Sequence, residues 1–336
     1  MSEKASVLLV GAGGVGAIAA LNLDTGGQAD VTAVLRSSYE KVVNEGLHIK
    51  SIDHGEIQGW RPSNVLNKIP SRTEKEFDYV VLATKNIADH HPTPAELIEP
   101  AVVPGKTVIV LIQNGLNIEK PFLSKFPDNI CLSGVSMIGS HETSPAFIEH
   151  EDSDRLIVGA FKNPNFSKGK QEQVAQEFVK IYGAGGKTVC TFTDNVLYDR
   201  WQKLVYNACL NTICAVTGLD TGRMRLADDA VSTLVRPAMN EIVTAAYACG
   251  IELPEDIVQR MIDVDPLTIY FKPSMLEDVQ RGNLTEFENL LGEPLREGTA
   301  RGVAMPTATF FYHTLKAMQW KFKEQKGLID IPPKTA

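Results

Sequence analysis

The chain has 336 residues, a formal net charge of −8, 43% apolar and 22% charged residues. That length predicts two domains with ample core, the proportions are those of an ordinary globular protein, and the acidic balance argues against a nucleic-acid-binding surface. No apolar run approaches the ~20 residues that span a bilayer, and the five scattered cysteines (Cys131, Cys190, Cys209, Cys214, Cys249) include no Cys-x-x-Cys pair and read as free thiols of a reducing compartment. The N-terminus, MSEKASVLLVG, passes directly into a strand and leaves no room for a signal peptide, so a cytoplasmic location is expected.

Residues 6–10, SVLLV, form a buried strand. Gly11, Ala12, Gly13, Gly14, Val15 and Gly16 follow, then a helical run ending near Gly26 and a second strand over 31–35. Strand, glycine loop, helix, strand is the setting in which G-x-G-x-x-G binds a dinucleotide. Gly11 makes the tight turn, Gly13 lets the backbone approach a pyrophosphate, and Gly16 lets the helix pack close on the strand. The pyrophosphate then rests on the free N–H groups of the helix start. An NAD site usually carries an acidic residue at the end of the second strand. Here Arg36 stands there, followed by Ser37 and Ser38, and a cation with hydroxyls suits the 2′-phosphate of NADP. Asp30, ahead of the strand, reads as a turn residue.

Residues 41–76 read as strands and loops covering a sheet edge. Strands over 78–84 and 107–112 are clearer, and they end at Lys85 and at Gln113-Asn114-Gly115. Strand C-termini face the ligand crevice of an open parallel sheet, which places Lys85 and Asn114 on the cofactor side. A helix over 93–101, strands near 130–138 and 155–160, a helix over 168–182 and a strand near 187–192 complete the domain. His90, His91, His141 and His150 lack metal-ligand spacing and read as surface or loop residues; no metal is expected.

From Asn195 the period is helical, with helices over 195–216, 228–249, 254–264, 274–281, 285–302 and 306–325. Arg236-Pro237 predicts a kink or break in the second. Within the first, WQKLVYNACLN places Lys203, Asn207 and Asn211 on one face, with Lys203 and Asn211 roughly 12 Å apart along an α-helical axis. A lysine and two amides among apolar neighbours suit a cleft for a polar small molecule, the alternative being a solvated helix face. Ser274 with Glu277, and Thr285 with Glu288, have the spacing of capping boxes. That leaves Glu286 without a structural role unless it is a surface residue. The domains are expected at 1–193 (an α/β, Rossmann-type NADP-binding domain) and 194–327 (all-α, substrate and catalytic), with a poorly ordered tail over 328–336.

The glycine loop, Arg36, Lys85, the Gln-Asn-Gly turn, the lysine with asparagines four and eight positions on, and Ser274-Met275 twelve residues before Glu286 together resemble the ketopantoate reductase (2-dehydropantoate 2-reductase) family. The resemblance runs from Val7 to about Lys323. It implies NADPH-dependent reduction of ketopantoate to pantoate, on the route to coenzyme A. It also implies a helical second domain similar to that of 6-phosphogluconate dehydrogenases. Carried over by position, Lys203 and Glu286 are catalytic. Asn207, Asn211, Ser274 and Asn114 bind substrate. The loop Gly11 to Gly16, with Arg36, Lys85 and Asn114, binds the cofactor. A lysine with an ordinary pKa near 10.4 is already protonated at neutral pH and can donate to the developing alkoxide. The wording LTEFENLLGEPLREG, Met224-Arg225 and the long 255–273 connection depart from the family pattern and bear on the substrate. Reduction of another 2-keto acid, a β-hydroxyacid dehydrogenase activity and a non-catalytic NADP sensor therefore stay open. Partners are confined to a small-molecule substrate and a second copy in a homodimer, with no nucleic acid and no membrane.

Overall fold

Buried β-branched runs become the central strands of the sheet. The computed structural model describes residues 4–332, so the end of the expected tail, 333–336, lies outside the described residues. The chain forms two units. The first holds residues up to Asn86, His91–Asn114 and Ile118–Val196; the second holds Ile87–His90, Gly115–Asn117 and the residues from Leu197 on.

In the first unit β1 (Ala5–Val10), α1 (Gly14–Thr25) and β2 (Ala29–Val34) open the fold. They are followed by α2 (Tyr39–Glu45), β3 (Leu47–Ser51), β4 (Gly55–Trp60), β5 (Asn64–Leu66) and β6 (Tyr79–Leu82). Then come α3 (Pro94–Ile98), β7 (Val108–Leu111), α4 (Lys120–Lys125), β8 (Cys131–Ser144), β9 (Phe147–Ala160), α5 (Lys168–Gly183) and β10 (Val189–Phe192). The ten-stranded sheet runs in the order β4, β3, β9, β8, β7, β6, β1, β2, β5, and β10 pairs with β9. From β8 to β5 every pairing is parallel, and β8 and β9 form an antiparallel hairpin. Both faces are covered, which is why β1 reads as a continuous apolar run. Val7 and Leu9 join the cluster that holds Ile18 and Phe178; Leu8 and Val10 join the one that holds Ile98 and Phe122. The result is a mixed α/β Rossmann-like sheet domain.

Several expectations for this unit need correction. Residues 39–45 are a helix, not strand or loop; Val42 is its one buried side chain, too little to give a helical period. Asp30 lies within β2 and pairs with Lys4 at 3.7 Å. The hairpin strands are 14 residues each, longer than expected, because register shifts near Gly139 and Glu142 break the two-residue alternation. His141 sits in β8, and His150 is neither surface nor loop: it is 2% exposed in β9, with Nδ1 on Ser51 Oγ at 2.8 Å and Nε2 on the Asp152 carbonyl at 2.9 Å.

The second unit consists of α6 (Val196–Tyr206), α7 (Thr212–Thr217), α8 (Thr221–Leu226), α9 (Arg236–Ala248), α10 (Ile257–Asp263), α11 (Ser274–Gln280), α12 (Glu293–Thr299) and α13 (Pro306–Gln325). Trp201, Met239, Phe287, Leu290 and Phe311 lie in its core, and Leu116 joins them. Three of the long helices expected here are interrupted by π turns, at Asn207–Asn211, Val231–Val235 and Glu288–Gly292. The last two precede Arg236-Pro237 and Glu293-Pro294. A proline ring clashes with the carbonyl four residues back, and a wider turn relieves that clash. Ser274 does not cap α11: Pro273 is the N-cap residue and Ser274 the first helical one. Thr285 and Glu288 form no capping box either. The Thr285 amide donates to Gln319 at 2.9 Å, and Glu288 accepts from Arg296 and Tyr312, each at 2.9 Å.

The first unit encloses a buried carboxylate. Asp154, 2% exposed, accepts on Oδ2 from Asn22 Nδ2 (2.8 Å), the Tyr182 hydroxyl (2.9 Å) and Thr188 Oγ1 (2.7 Å). Removing it leaves buried donors without an acceptor. Asp154→Ala is therefore expected to cost about 2–4 kcal/mol of unfolding free energy in urea titrations. A change below about 0.5 kcal/mol contradicts this account.

Candidate active site

The first unit has an edge whose geometry suits a dinucleotide. At the end of β1, Gly11 has φ +90°, a conformation that favours glycine, and a Cβ there would lie 2.6 Å from Thr84 Cγ2. A Cβ on Gly16 would lie 1.8 Å from the Gly11 carbonyl oxygen, which is the close approach of helix to strand that the motif predicts. At Gly13 a Cβ would meet nothing within 4 Å, so the space beside that backbone is open to a ligand. Gly14 is explained by packing, since its Cβ would lie 2.2 Å from the Ser140 carbonyl oxygen. Gly13 is the N-cap residue of α1 and no side chain caps that helix, so its first N–H groups are available to an anion. Ala12 is buried and Val15 half-buried within the same turn.

The parallel register brings the ends of β2, β1, β6 and β7 to one edge, with Val34, Val10, Leu82 and Leu111 level. Arg36, Lys85 and Asn114 follow two or three residues beyond; Arg36 and Lys85 are exposed and Asn114 is half-buried. Arg36 has no hydrogen-bond or ion-pair partner among the described residues. Of the two hydroxyls expected to assist it, Ser37 is exposed, whereas Ser38 is buried and donates to the Glu142 carboxylate. Sequence reasoning missed Gln113, whose Nε2 donates to the Thr84 carbonyl (3.0 Å) and hydroxyl (3.1 Å) and so steadies the residue that packs on Gly11.

The second unit holds a lysine and several amides. Asn207 and Asn211 lie in the π turn that follows α6, so the straight α-helical stripe expected from Lys203 to Asn211, and the axial distance built on it, do not hold. Thr212 Oγ1 donates to the Ala208 (2.7 Å) and Cys209 (3.0 Å) carbonyls and satisfies groups that the wide turn releases. Asn211, 2% exposed, accepts from the Met275 amide at 2.8 Å and donates to Ser274 Oγ at 3.4 Å. The π turn therefore holds the start of α11. Asn207 is 9% exposed, and its side-chain amide has no hydrogen-bond partner among the described residues.

Glu286 is no surface residue: it is 5% exposed, just ahead of the 288–292 turn, which packs on the 207–211 turn. Its charge acts on Lys203, which is half-buried. Burial pushes the Lys203 ammonium down to about 8, the Arg200 guanidinium pushes the same way, and the Glu286 carboxylate opposes both. The expectation of an ordinary lysine pKa is thus corrected, because desolvation penalises the charged form.

The glycine geometry separates packing from binding. Gly16→Ala is expected to lose about 3 kcal/mol or more of stability in thermal unfolding, while Gly13→Ala melts within about a degree or two of the wild type. Equal melting shifts for the two variants contradict this assignment.

Comparison with known proteins matches both units. The family profile "Ketopantoate reductase PanE/ApbA" covers residues 7–163, and "Ketopantoate reductase PanE/ApbA C terminal" covers residues 195–319. An uncharacterized protein of Saccharomyces cerevisiae is 36% identical over 98% of each chain. The 2-dehydropantoate 2-reductase of Nostoc sp. is 26% identical, covering 98% of this chain and 100% of its own. Among solved structures, the 2-dehydropantoate 2-reductase of Methylococcus capsulatus aligns with TM-score 0.79 and 31% identity, over 94% of this chain and 97% of its own. A D-mandelate dehydrogenase with NADH and anilino(oxo)acetate shares the fold, with TM-score 0.81 and 21% identity over 95% of this chain and 99% of its own. With both parts of the chain matched, the protein belongs to the ketopantoate reductase family and is an oxidoreductase.

Proposed function

We propose that the protein is an NADPH-dependent reductase that converts 2-dehydropantoate (ketopantoate) to pantoate, with Lys203 as proton donor. The observation that carries this reading is the half-buried Lys203, brought to about 8 by burial and by Arg200, on the helix that runs into the turn bearing the Asn207 and Asn211 amides. The fit to a dinucleotide rests on the open flank of Gly13, the uncapped start of α1 and the exposed guanidinium of Arg36. The bound nicotinamide supplies hydride to the ketone carbon.

Lys203 hands a proton from Nζ to the ketone oxygen, or stabilises the alkoxide as it forms. With its pKa at about 8 the lysine is still mainly protonated at neutral pH, yet it gives up its proton more readily than an ordinary lysine. Glu286 favours the charged form and so promotes reprotonation after turnover. The Asn207 amide and the Ser274 hydroxyl bind the substrate's carboxylate or hydroxyl groups. Asn211, with its oxygen committed to the Met275 amide, acts by holding Ser274 in place. Arg36 pairs with the 2′-phosphate and sets the preference for NADPH; Lys85 and Asn114 serve the same cofactor-binding edge, and Asn114 also reaches the substrate.

A second 2-keto acid substrate is the other reading with an observation in its favour. Val264, Ile269 and Tyr270 are exposed in the segment that runs into Ser274, a place for a bulkier apolar side chain. Steady-state rates of NADPH oxidation with ketopantoate and a panel of 2-keto acids decide between them, and a clear preference for another acid overturns the first.

The mechanism carries its own tests. Lys203→Ala is expected to lower kcat about 10²- to 10⁴-fold while NADPH still binds, and near-normal turnover refutes the assignment. In the wild type the acid form of Lys203 is lost as pH rises, so kcat/KM for reduction should fall on passing about 8. A profile flat up to about 10, where an ordinary lysine titrates, contradicts it. Arg36→Ala should raise the KM for NADPH about tenfold or more and leave that for NADH nearly unchanged, given the ~1.5–3 kcal/mol of a charged hydrogen bond. An equal effect on both cofactors removes Arg36 from phosphate recognition.

A further inference from the structure

Helix α6 carries a second cation that neither the sequence reading nor the family comparison assigns. Arg200 is 3% exposed and donates through Nη1 to the Gly115 carbonyl at 2.8 Å. It precedes Lys203 by three residues, so the two side chains leave the same face of the helix. A buried guanidinium is costly unless its donors are satisfied, and its planar fork holds a partner in one geometry where a lysine would not. The Gly115 carbonyl is itself fixed. Gly115 has φ +108°, and a Cβ there would lie 2.6 Å from Asn289 Cβ. The Leu116 amide donates to the Asn289 carbonyl at 2.9 Å, and Asn289 Nδ2 returns a bond to the Leu116 carbonyl at 3.0 Å. Asn117 Nδ2 donates to Glu293 (2.5 Å) and to Glu297 (2.8 Å). Residues 115–117, which follow Asn114 directly in the chain, thus have one place, and Arg200 ties that place to α6.

We propose that Arg200 is a positioning residue for reduction: it fixes the turn after Asn114 to helix α6 and stands as an immobile positive charge one helical turn before Lys203. The inference rests on the reading of Lys203 as proton donor. Two charged groups act on the ammonium, Arg200 from its own helix and Glu286 from the segment ahead of the 288–292 turn. Asp265 also faces α6, where it accepts from the Tyr206 hydroxyl at 2.6 Å. A proton leaving Lys203 relieves repulsion with Arg200, so the neutral lysine formed during reduction is the state that the guanidinium favours.

Two conservative variants separate the charge from the hydrogen bond. Arg200→Gln keeps an amide donor on the same helix face and removes the charge; Arg200→Lys keeps the charge and loses the fork. The Lys203 ammonium is followed directly, by NMR titration after reductive 13C-methylation, with its resonance assigned by its absence in Lys203→Arg. In Arg200→Gln the Lys203 midpoint and the alkaline limb of kcat/KM are expected to move up together by about half a pH unit or more, with a several-fold lower rate at neutral pH. In Arg200→Lys the midpoint should stay near that of the wild type while KM for the keto acid rises several-fold. An unmoved midpoint in Arg200→Gln, or a wild-type KM in Arg200→Lys, overturns the proposal even if melting temperatures fall. The titration needs no turnover. If Lys203→Ala proved active, the proton-donor reading would fail, while the titration would still report whether Arg200 acts on the ammonium.

Discussion

A desolvated ammonium is the constraint to which the helical unit is built. Lys203 lies on α6 between Trp201 and Leu204, both almost wholly buried. Simple burial would push such a lysine toward neutrality and weaken the helix. Two charges set the balance instead: the Arg200 guanidinium adds to the effect of burial and the Glu286 carboxylate opposes it, leaving the group at about 8. An acid poised near the working pH is the more effective proton donor. In the proposed role of Lys203, stability is given up at this point for chemistry, and the surrounding apolar core of Leu204, Val205, Met239 and Phe287 supplies the compensation.

The π turns extend the same argument. Two of the three are answered by a proline, Pro237 and Pro294, whose rings demand room in the preceding turn. The turn at 207–211 has no proline after it. Its wide geometry is held instead by Thr212, which caps two released carbonyls, and by Asn211, which reaches across to the Met275 amide. It is also the turn that bears Asn207. Wide turns of this kind are frequent at functional sites, and this one bears the two amides that follow Lys203.

Much of this was legible in the sequence because it follows from local rules. Gly11, Gly13 and Gly16 each have a distinct steric reason, and the order of strand, loop and helix around them exposes that reason. The parallel strands were legible because two-sided burial writes continuous apolar runs. What was hidden depends on partners distant in the chain. His150 looks like any loop histidine until Ser51 and the Asp152 carbonyl are beside it. Ser274 has the spacing of a cap, but Asn211 takes its hydroxyl and Pro273 takes the capping place. The Lys203 pKa was misjudged for the same reason, since sequence shows the neighbours along a helix and not the depth at which an ammonium sits.

Chain connectivity adds one more physical point. Lys85 and Asn114 belong to the sheet unit, yet the segments that begin one or two residues later, Ile87–His90 and Gly115–Asn117, belong to the helical unit. Both are firmly held there. Asp89 is bonded by Gln319 (3.1 Å) and Lys323 (2.7 Å), and Gly115 by Arg200 (2.8 Å). Each bond uses a charged or amide side chain, and in the second segment Leu116 adds an apolar anchor in the core. Loops after strand ends are ordinarily the most variable parts of an α/β sheet. Here polar anchoring removes that freedom within the helical unit, for the two short segments that closely follow residues proposed to meet the cofactor.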